Sequence, residues 1–249
     1  MKKSVLLIID PQNDFVDSNG SLYIPGAEKG IDAMCKYIEE DNPDHIIITQ
    51  DTHQVNHIGH SEYWFGNPKP FTKITIDDLD SKKYWPVDID EDDCVEDYIY
   101  DYLSKLPKKT HMIWPKHCIK GSWGHAFPNK LTEELISWSK RNDLVSFEVR
   151  QKGEYPNAEM YSAISRIDES EDCLEYNELI KKLSSFDQVY IAGFAKDVCV
   201  AWTVKDLLAS GKFKNKLVFL KDCMVGLDQE SDMLTVFEDG INNHGAVWE

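Results

Sequence analysis

The sequence predicts an α/β fold: one domain over residues 1–249, built on an open, parallel, six-stranded sheet with helices on both faces. Short, continuous apolar runs rich in β-branched residues recur along the chain, at Val5 to Ile9, His45 to Thr49, Leu144 to Val149, Gln188 to Ala192, Leu217 to Leu220 and, more weakly, Ala246 to Trp248. Unbroken apolarity over so few residues is the mark of a strand covered on both faces. Between the runs lie segments with helical spacing, and this alternation is what a parallel sheet with crossover helices requires. A chain of 249 residues that is 42% hydrophobic and 11% aromatic has enough apolar surface for one substantial core.

The first strand, Val5 to Ile9, is closed by Asp10 and Pro11. Ala27, Ile31, Met34, Cys35 and Ile38 then recur on one helical face. The second strand runs from His45 into Asp51 and His53. Residues 61–113 break the rhythm, rich in Asp, Tyr, Trp and Pro, and offer one clear helix near Val95 to Leu106. They read as an insertion or cap, with the acidic run Asp88 to Asp93 as a solvated loop or helix start. A helix carrying Leu131, Leu135 and Trp138 leads to the third strand and Lys152. Leu174, Leu179, Ile180 and Leu183 mark another helix before the fourth strand, which passes through Gly193 to Cys199.

Composition narrows the function. Asp and Glu outnumber Lys and Arg by 44 to 27, a net charge of −17, so a nucleic-acid backbone or an anionic membrane is repelled by the average field. Val5 to Ile9 is too short for a signal-peptide core or a membrane span, which points to a cytoplasmic protein. Six cysteines occur without CxxC pairs, the pattern of buried thiols rather than of a disulfide scaffold or zinc ribbon.

Ligands of open parallel sheets bind beyond the carboxyl ends of the strands, where strand order reverses. Four strands deliver reactive groups to that edge. Cys199 opens a helix, whose unpaired N–H groups and positive end favour a thiolate. Asp10 and Lys152 are each as compatible with a structural ion pair as with catalysis. Together with Cys199 they form a coherent site, a carboxylate to carry the thiol proton and an ammonium to restrain the carboxylate. Asp51 and His53, two residues apart, fall on the same side of an extended segment and can both face one cation; His117 supplies a third ligand, with His57 and His60 nearby. Such N/O ligands suit zinc first, and iron(II) or manganese as well. An exposed histidine loop is the alternative, and Cys118 reads as a packed thiol rather than a ligand.

These residues fall in segments that resemble the nicotinamidases within the isochorismatase-like cysteine hydrolases. The segments are Leu7 to Phe15, Gly20-Ser21-Leu22 with Pro25-Gly26, Thr49-Gln50-Asp51-Thr52-His53, Trp114-Pro115-Lys116-His117-Cys118 with Gly121, Lys152-Gly153 with Tyr161-Ser162-Ala163, and Gly193 to Val200. They are spread over the chain except residues 61–113. The resemblance implies a Rossmann-like hydrolase fold, a catalytic triad of Asp10, Lys152 and Cys199, and a divalent metal, zinc foremost, on Asp51, His53 and His117. It also implies a cis peptide between Phe194 and Ala195 that turns the N–H groups of Ala195 and Cys199 toward the substrate oxygen, and a pyridine pocket walled by Phe15, Trp114 and Tyr161. The implied activity is hydrolysis of nicotinamide to nicotinate and ammonia through a thioester, within NAD salvage. Another small amide or carbamoyl compound is the alternative substrate. Homo-oligomerisation is left open. Thr52, Val198 and Ile164 depart from the common pattern, where Trp, Tyr or His, and Phe are usual; all three flank the machinery without removing any of it.

Overall fold

The structure, a computed structural model, describes residues 2–87, 93–169 and 177–249. Six strands form one parallel sheet: β1 (Ser4–Ile9), β2 (His45–Asp51), β3 (Glu148–Lys152), β4 (Gln188–Phe194), β5 (Leu217–Val225) and β6 (Val247–Trp248). Their order across the sheet is β6-β5-β4-β1-β2-β3. The chain therefore winds outward from β1 through β2 to β3, then returns to the other side of β1 for β4, β5 and β6. That reversal puts the switch point between β1 and β4.

Both faces of the sheet are covered, as the unbroken apolarity of β1 requires. Val5, Leu7 and Ile9 point into one core, with Leu179, Val204 and Phe237 from the helices Glu178–Ser184, Ala201–Ala209 and Thr235–His244. Leu6 and Ile8 point into the other, with Met34 and Ile38 of helix Ala27–Asp41 and Leu135 and Trp138 of helix Asn129–Arg141. Truncating one such side chain to Ala typically costs about 2–5 kcal/mol. The predicted stripe Ala27, Ile31, Met34, Cys35, Ile38 is the buried face of its helix. Leu174 and the acidic residues 88–92 lie outside the described residues.

The third strand departs from expectation. Of the run Leu144 to Val149, only Glu148 and Val149 lie in the strand; Asp143 and Leu144 adopt left-handed turn conformations, with φ of 54° and 63°, and Leu144 is 75% exposed. The strand begins at Glu148 and pairs only with β2, from Ile47↔Glu148 to Asp51↔Lys152. An edge strand alternates in burial, so continuous apolarity was the wrong signature for it.

Residues 61–113 pack around a core of their own, in which Trp64, Ile74, Leu79, Ile99 and Tyr102 cluster with Ile58 and Ala158. Two small antiparallel ribbons lie within them, Trp64–Phe65 with Trp85–Pro86 and Lys73–Thr75 with Thr110–Met112, besides helix Asp93–Lys105. Strands of two or three residues are too short to show a period in sequence. Cys35, Cys118, Cys199 and Cys223 are free and buried. No helix among the described residues is long and apolar enough to cross a membrane.

Candidate active site

The strand ends meet where the topology says they should. Asp10 follows β1 in a left-handed conformation, φ 47°, and its carboxylate is wholly buried. Its Oδ1 accepts from the Thr49 hydroxyl at 2.6 Å, and its Oδ2 lies 2.9 Å from Lys152 Nζ. Lys152, at the end of β3, also reaches Asp51 Oδ1 at 3.1 Å, donates to the Met160 carbonyl at 2.9 Å, and stands 3.6 Å from Cys199 Sγ. One ammonium thus joins three strand ends and the thiol.

Cys199 is carried by a single wide helical turn, Lys196–Val200, that follows β4 and runs into helix Ala201–Ala209. The approach to it is tight. Gly193 pairs with Ile9 at φ 126°, where a Cβ would come within 2.1 Å of the Ile9 carbonyl oxygen, so only glycine lets β4 lie this close to β1. The Phe194–Ala195 peptide is cis. Contrary to the thiolate expected at a helix start, burial pushes the Cys199 thiol well above its usual value, and the carboxylates of Asp10 and Asp51 push the same way; Lys152 only partly offsets them. The resting group is a thiol. Burial likewise raises Asp10, against the opposing charge of Lys152.

Beside this group lie four buried histidines. Asp51 Oδ2 is 2.9 Å from His53 Nε2 and 3.4 Å from His117 Nε2. His117 Nδ1 bonds the Pro115 carbonyl at 2.7 Å, so that nitrogen carries the proton and Nε2 faces inward with a lone pair. His60 joins them: one ring nitrogen each of His53, His60 and His117 lie within 4.8 Å of one another. His60 is completely buried, and neither of its nitrogens has a hydrogen-bond partner. An exposed histidine loop is therefore excluded. Although burial alone would raise Asp51, the charges of His53 and Lys152 hold it well below the usual carboxylate range. His57, by contrast, has its Nδ1 tied to the Gly59 N–H at 3.1 Å. Cys118 is a packed thiol, pushed well up by burial, whose backbone N–H donates to Asp14.

Thiol, ammonium and imidazoles border one cavity. Phe15, Trp114 and Tyr161 form its aromatic walls, and Ala195 borders it next to Cys199. Trp114 Nε1 donates to the Tyr161 hydroxyl at 3.1 Å, which locks the two rings edge to face.

No family model matches the chain. It is 28% identical over 221 residues to the nicotinamidase of Acinetobacter baylyi, covering 88% of this chain and 79% of that protein. It is 22% identical over 251 residues to the nicotinamidase of Saccharomyces cerevisiae, covering 96% and 95%. Along most of its length the chain is similar to curated nicotinamidases. A crystal structure of the yeast nicotinamidase bound to the inhibitor nicotinaldehyde superposes with a TM-score of 0.69, at 21% identity and 98% coverage of both chains. The pyrazinamidase of Pyrococcus horikoshii in complex with zinc superposes at 0.56, with 21% identity over 99% of this chain and 98% of that one.

Within this nicotinamidase-like chain the structure brings every residue singled out from sequence to one place, and adds others. Leu22, Ile24, Met160 and Leu227 complete the apolar lining, and Glu159 lies beside the histidines. The apolar four carried no distinguishing signal. Glu159 did: a carboxylate between Ala158 and Met160, just ahead of Tyr161-Ser162-Ala163, interrupts a stretch otherwise free of charge.

Proposed function

We propose that the protein hydrolyses nicotinamide to nicotinate and ammonia, with Cys199 as nucleophile. The observation that carries this reading is Lys152 Nζ, at 2.9 Å from Asp10 and 3.6 Å from the Cys199 sulfur, on the wall of a cavity lined by aromatic rings. The relatives named as nicotinamidases support the same substrate.

A neutral, buried thiol needs a base only when substrate arrives. Asp10 takes the Cys199 proton, and the sulfur attacks the amide carbon. The N–H groups of Ala195 and Cys199 receive the charge that gathers on the oxygen, an interaction that commonly contributes about 3 kcal/mol per donor to the barrier. Asp10 then returns the proton to the departing amine, releasing ammonia and leaving a thioester. Water enters, Asp10 accepts its proton, and collapse of the second tetrahedral intermediate frees nicotinate and restores the thiol. Lys152 keeps Asp10 ionised between steps and compensates the negative charge as it moves.

The donor set fits a divalent metal: Asp51, His53 and His117 converge, and a wholly buried His60 with both nitrogens unpartnered is hard to account for except as a fourth ligand. Mixed imidazole and carboxylate ligands favour zinc, with iron(II) and manganese also suited. When bound, the ion would supply a Lewis-acidic anchor for the pyridine nitrogen. Phe15, Trp114 and Tyr161 would hold the ring between them and keep water from its faces.

Ammonia release from nicotinamide, measured beside pyrazinamide and benzamide, tests this directly. The wild-type chain should prefer the amides with a ring nitrogen, and folded Cys199→Ala should release none. Full activity in Cys199→Ala, or turnover confined to amides without a ring nitrogen, would overturn the assignment.

A further inference from the structure

Glu159 has no part in the chemistry above, yet it sits where a carboxylate is costly. It is 3% exposed and its Oε1 has no hydrogen-bond partner. His53 Nδ1 and His57 Nε2 are also buried and unpartnered. One ligand-type atom from each of these three residues lies within 4.8 Å of the other two. Three orphaned polar atoms in one small volume must answer to one another, because each alone would cost free energy to bury.

Tautomers decide how. The Gly59 N–H donates to His57 Nδ1 at 3.1 Å, so that nitrogen holds a lone pair and the neutral ring carries its proton on Nε2. His57 Nε2 is thus a donor and cannot serve as a ligand, which argues against a second cation held by His53, His57 and Glu159. On His53, Nε2 faces Asp51 Oδ2 at 2.9 Å, on the side shared with His60 and His117. A ring that offers the Nε2 lone pair to a cation must carry its proton on Nδ1, and that proton needs an acceptor.

We propose that Glu159 is the positioning carboxylate of the metal centre, accepting from His53 Nδ1–H and His57 Nε2–H and so fixing His53 with Nε2 toward the ion. The proposal rests on the metal reading given above. Gly59 belongs to the device. A Cβ there would come within 2.2 Å of Glu159 Oε1 and 3.2 Å of His57 Nδ1, so the absence of a side chain is what lets the carboxylate approach. His57 also gains a purpose: it presents a second donor, which holds the carboxylate in place without competing for the ion.

The test is zinc affinity, read by competition with a chelating dye on the metal-stripped full chain, beside the melting temperature of the same stripped samples. Wild type should bind one equivalent. Glu159→Gln, which keeps the shape and loses the charge, should melt as wild type does without metal yet bind zinc about ten- to hundredfold more weakly. Glu159→Asp should recover part of that loss. Should Glu159→Gln fail to fold, Gly59→Ala, which displaces the carboxylate and leaves every ligand in place, should weaken zinc by at least tenfold. Wild-type affinity in a folded Glu159→Gln or Gly59→Ala overturns the proposal, as does a second zinc equivalent that vanishes with Glu159. If wild type binds no divalent metal, the metal reading fails first and takes the proposal with it, a result visible before any variant is made.

Discussion

Lys152 places an ammonium where its side chain is 3% exposed, within reach of Asp10, Asp51, the Met160 carbonyl and the Cys199 sulfur. Burial alone would strip its proton; the two carboxylates and the thiol reverse that and hold its pKa well above the ordinary value. Replacing it with Met would leave two carboxylates buried together without a counter-charge. Breaking a buried pair in this way costs about 3–5 kcal/mol, so urea unfolding of Lys152→Met should show a loss of that order. The same substitution tests the chemistry. Asp10 must be ionised to take the thiol proton, so kcat/KM should fall as pH drops through its raised pKa. Lys152 lowers that pKa, and without it the acid limb should move to higher pH. Residual activity in Lys152→Met with an unmoved acid limb would show that Asp10 is not the titrating base.

The elements divide into those whose period announces them and those placed by their neighbours. Strands β1, β2, β4 and β5 are covered on both faces and were legible as unbroken apolar runs, although β5 continues to Val225, well past the Leu220 where apolarity stops. Edge strand β3 was not, because half of its side chains face water and its register is set by β2 alone. At the site, Asp10, Asp51, Lys152 and Cys199 were legible as polar residues closing or following apolar strands. His60 was legible only as a histidine near the cluster and Glu159 only as a lone carboxylate in an uncharged stretch, because their importance lies in which atoms stay unpartnered after folding. The segment 61–113 hid its own core for a related reason: its apolar residues are scattered over ribbons and turns. His111 lies in that core, donating to the Ile58 carbonyl at 2.9 Å and facing the Tyr102 hydroxyl at 3.2 Å. Burial pushes it down from 6.5 to about 4. The unfolded chain therefore binds a proton that the folded one refuses between these values, and stability falls as pH drops from about 6.5 to about 4. The full effect is about 3 kcal/mol. His111→Gln keeps a donor and an acceptor but does not titrate, so its stability between pH 7 and pH 4 should fall by that much less than that of wild type. Parallel curves for the two proteins would remove His111 from the account.

Across the whole molecule, a net charge of −17 surrounds a site whose proposed substrate is neutral and whose product is an anion. The average field does not hinder entry of an uncharged amide, and it repels the carboxylate once formed, which favours release. The proposed metal centre would tie this chemistry to stability. Its ligands come from β2 and the segments following it, while Glu159 and Lys152 come from β3 and beyond, so an ion there joins regions that the hydrophobic cores connect only indirectly. Any ligand that binds only the folded chain stabilises it by mass action, by about 2.7 kcal/mol at a free concentration one hundred times its Kd. For a chain of this length, each kcal/mol corresponds to about 2–4 °C in Tm. Calorimetry of the metal-stripped protein should therefore show Tm rising by about 5–10 °C when zinc is supplied at that concentration. A chelator should reverse the shift. Magnesium at the same concentration should leave Tm in place, because it prefers oxygen ligands and keeps its water, whereas this set is mostly imidazole. A Tm that ignores zinc, or that rises equally with magnesium, would show that His53, His60 and His117 are buried for some purpose other than binding a metal.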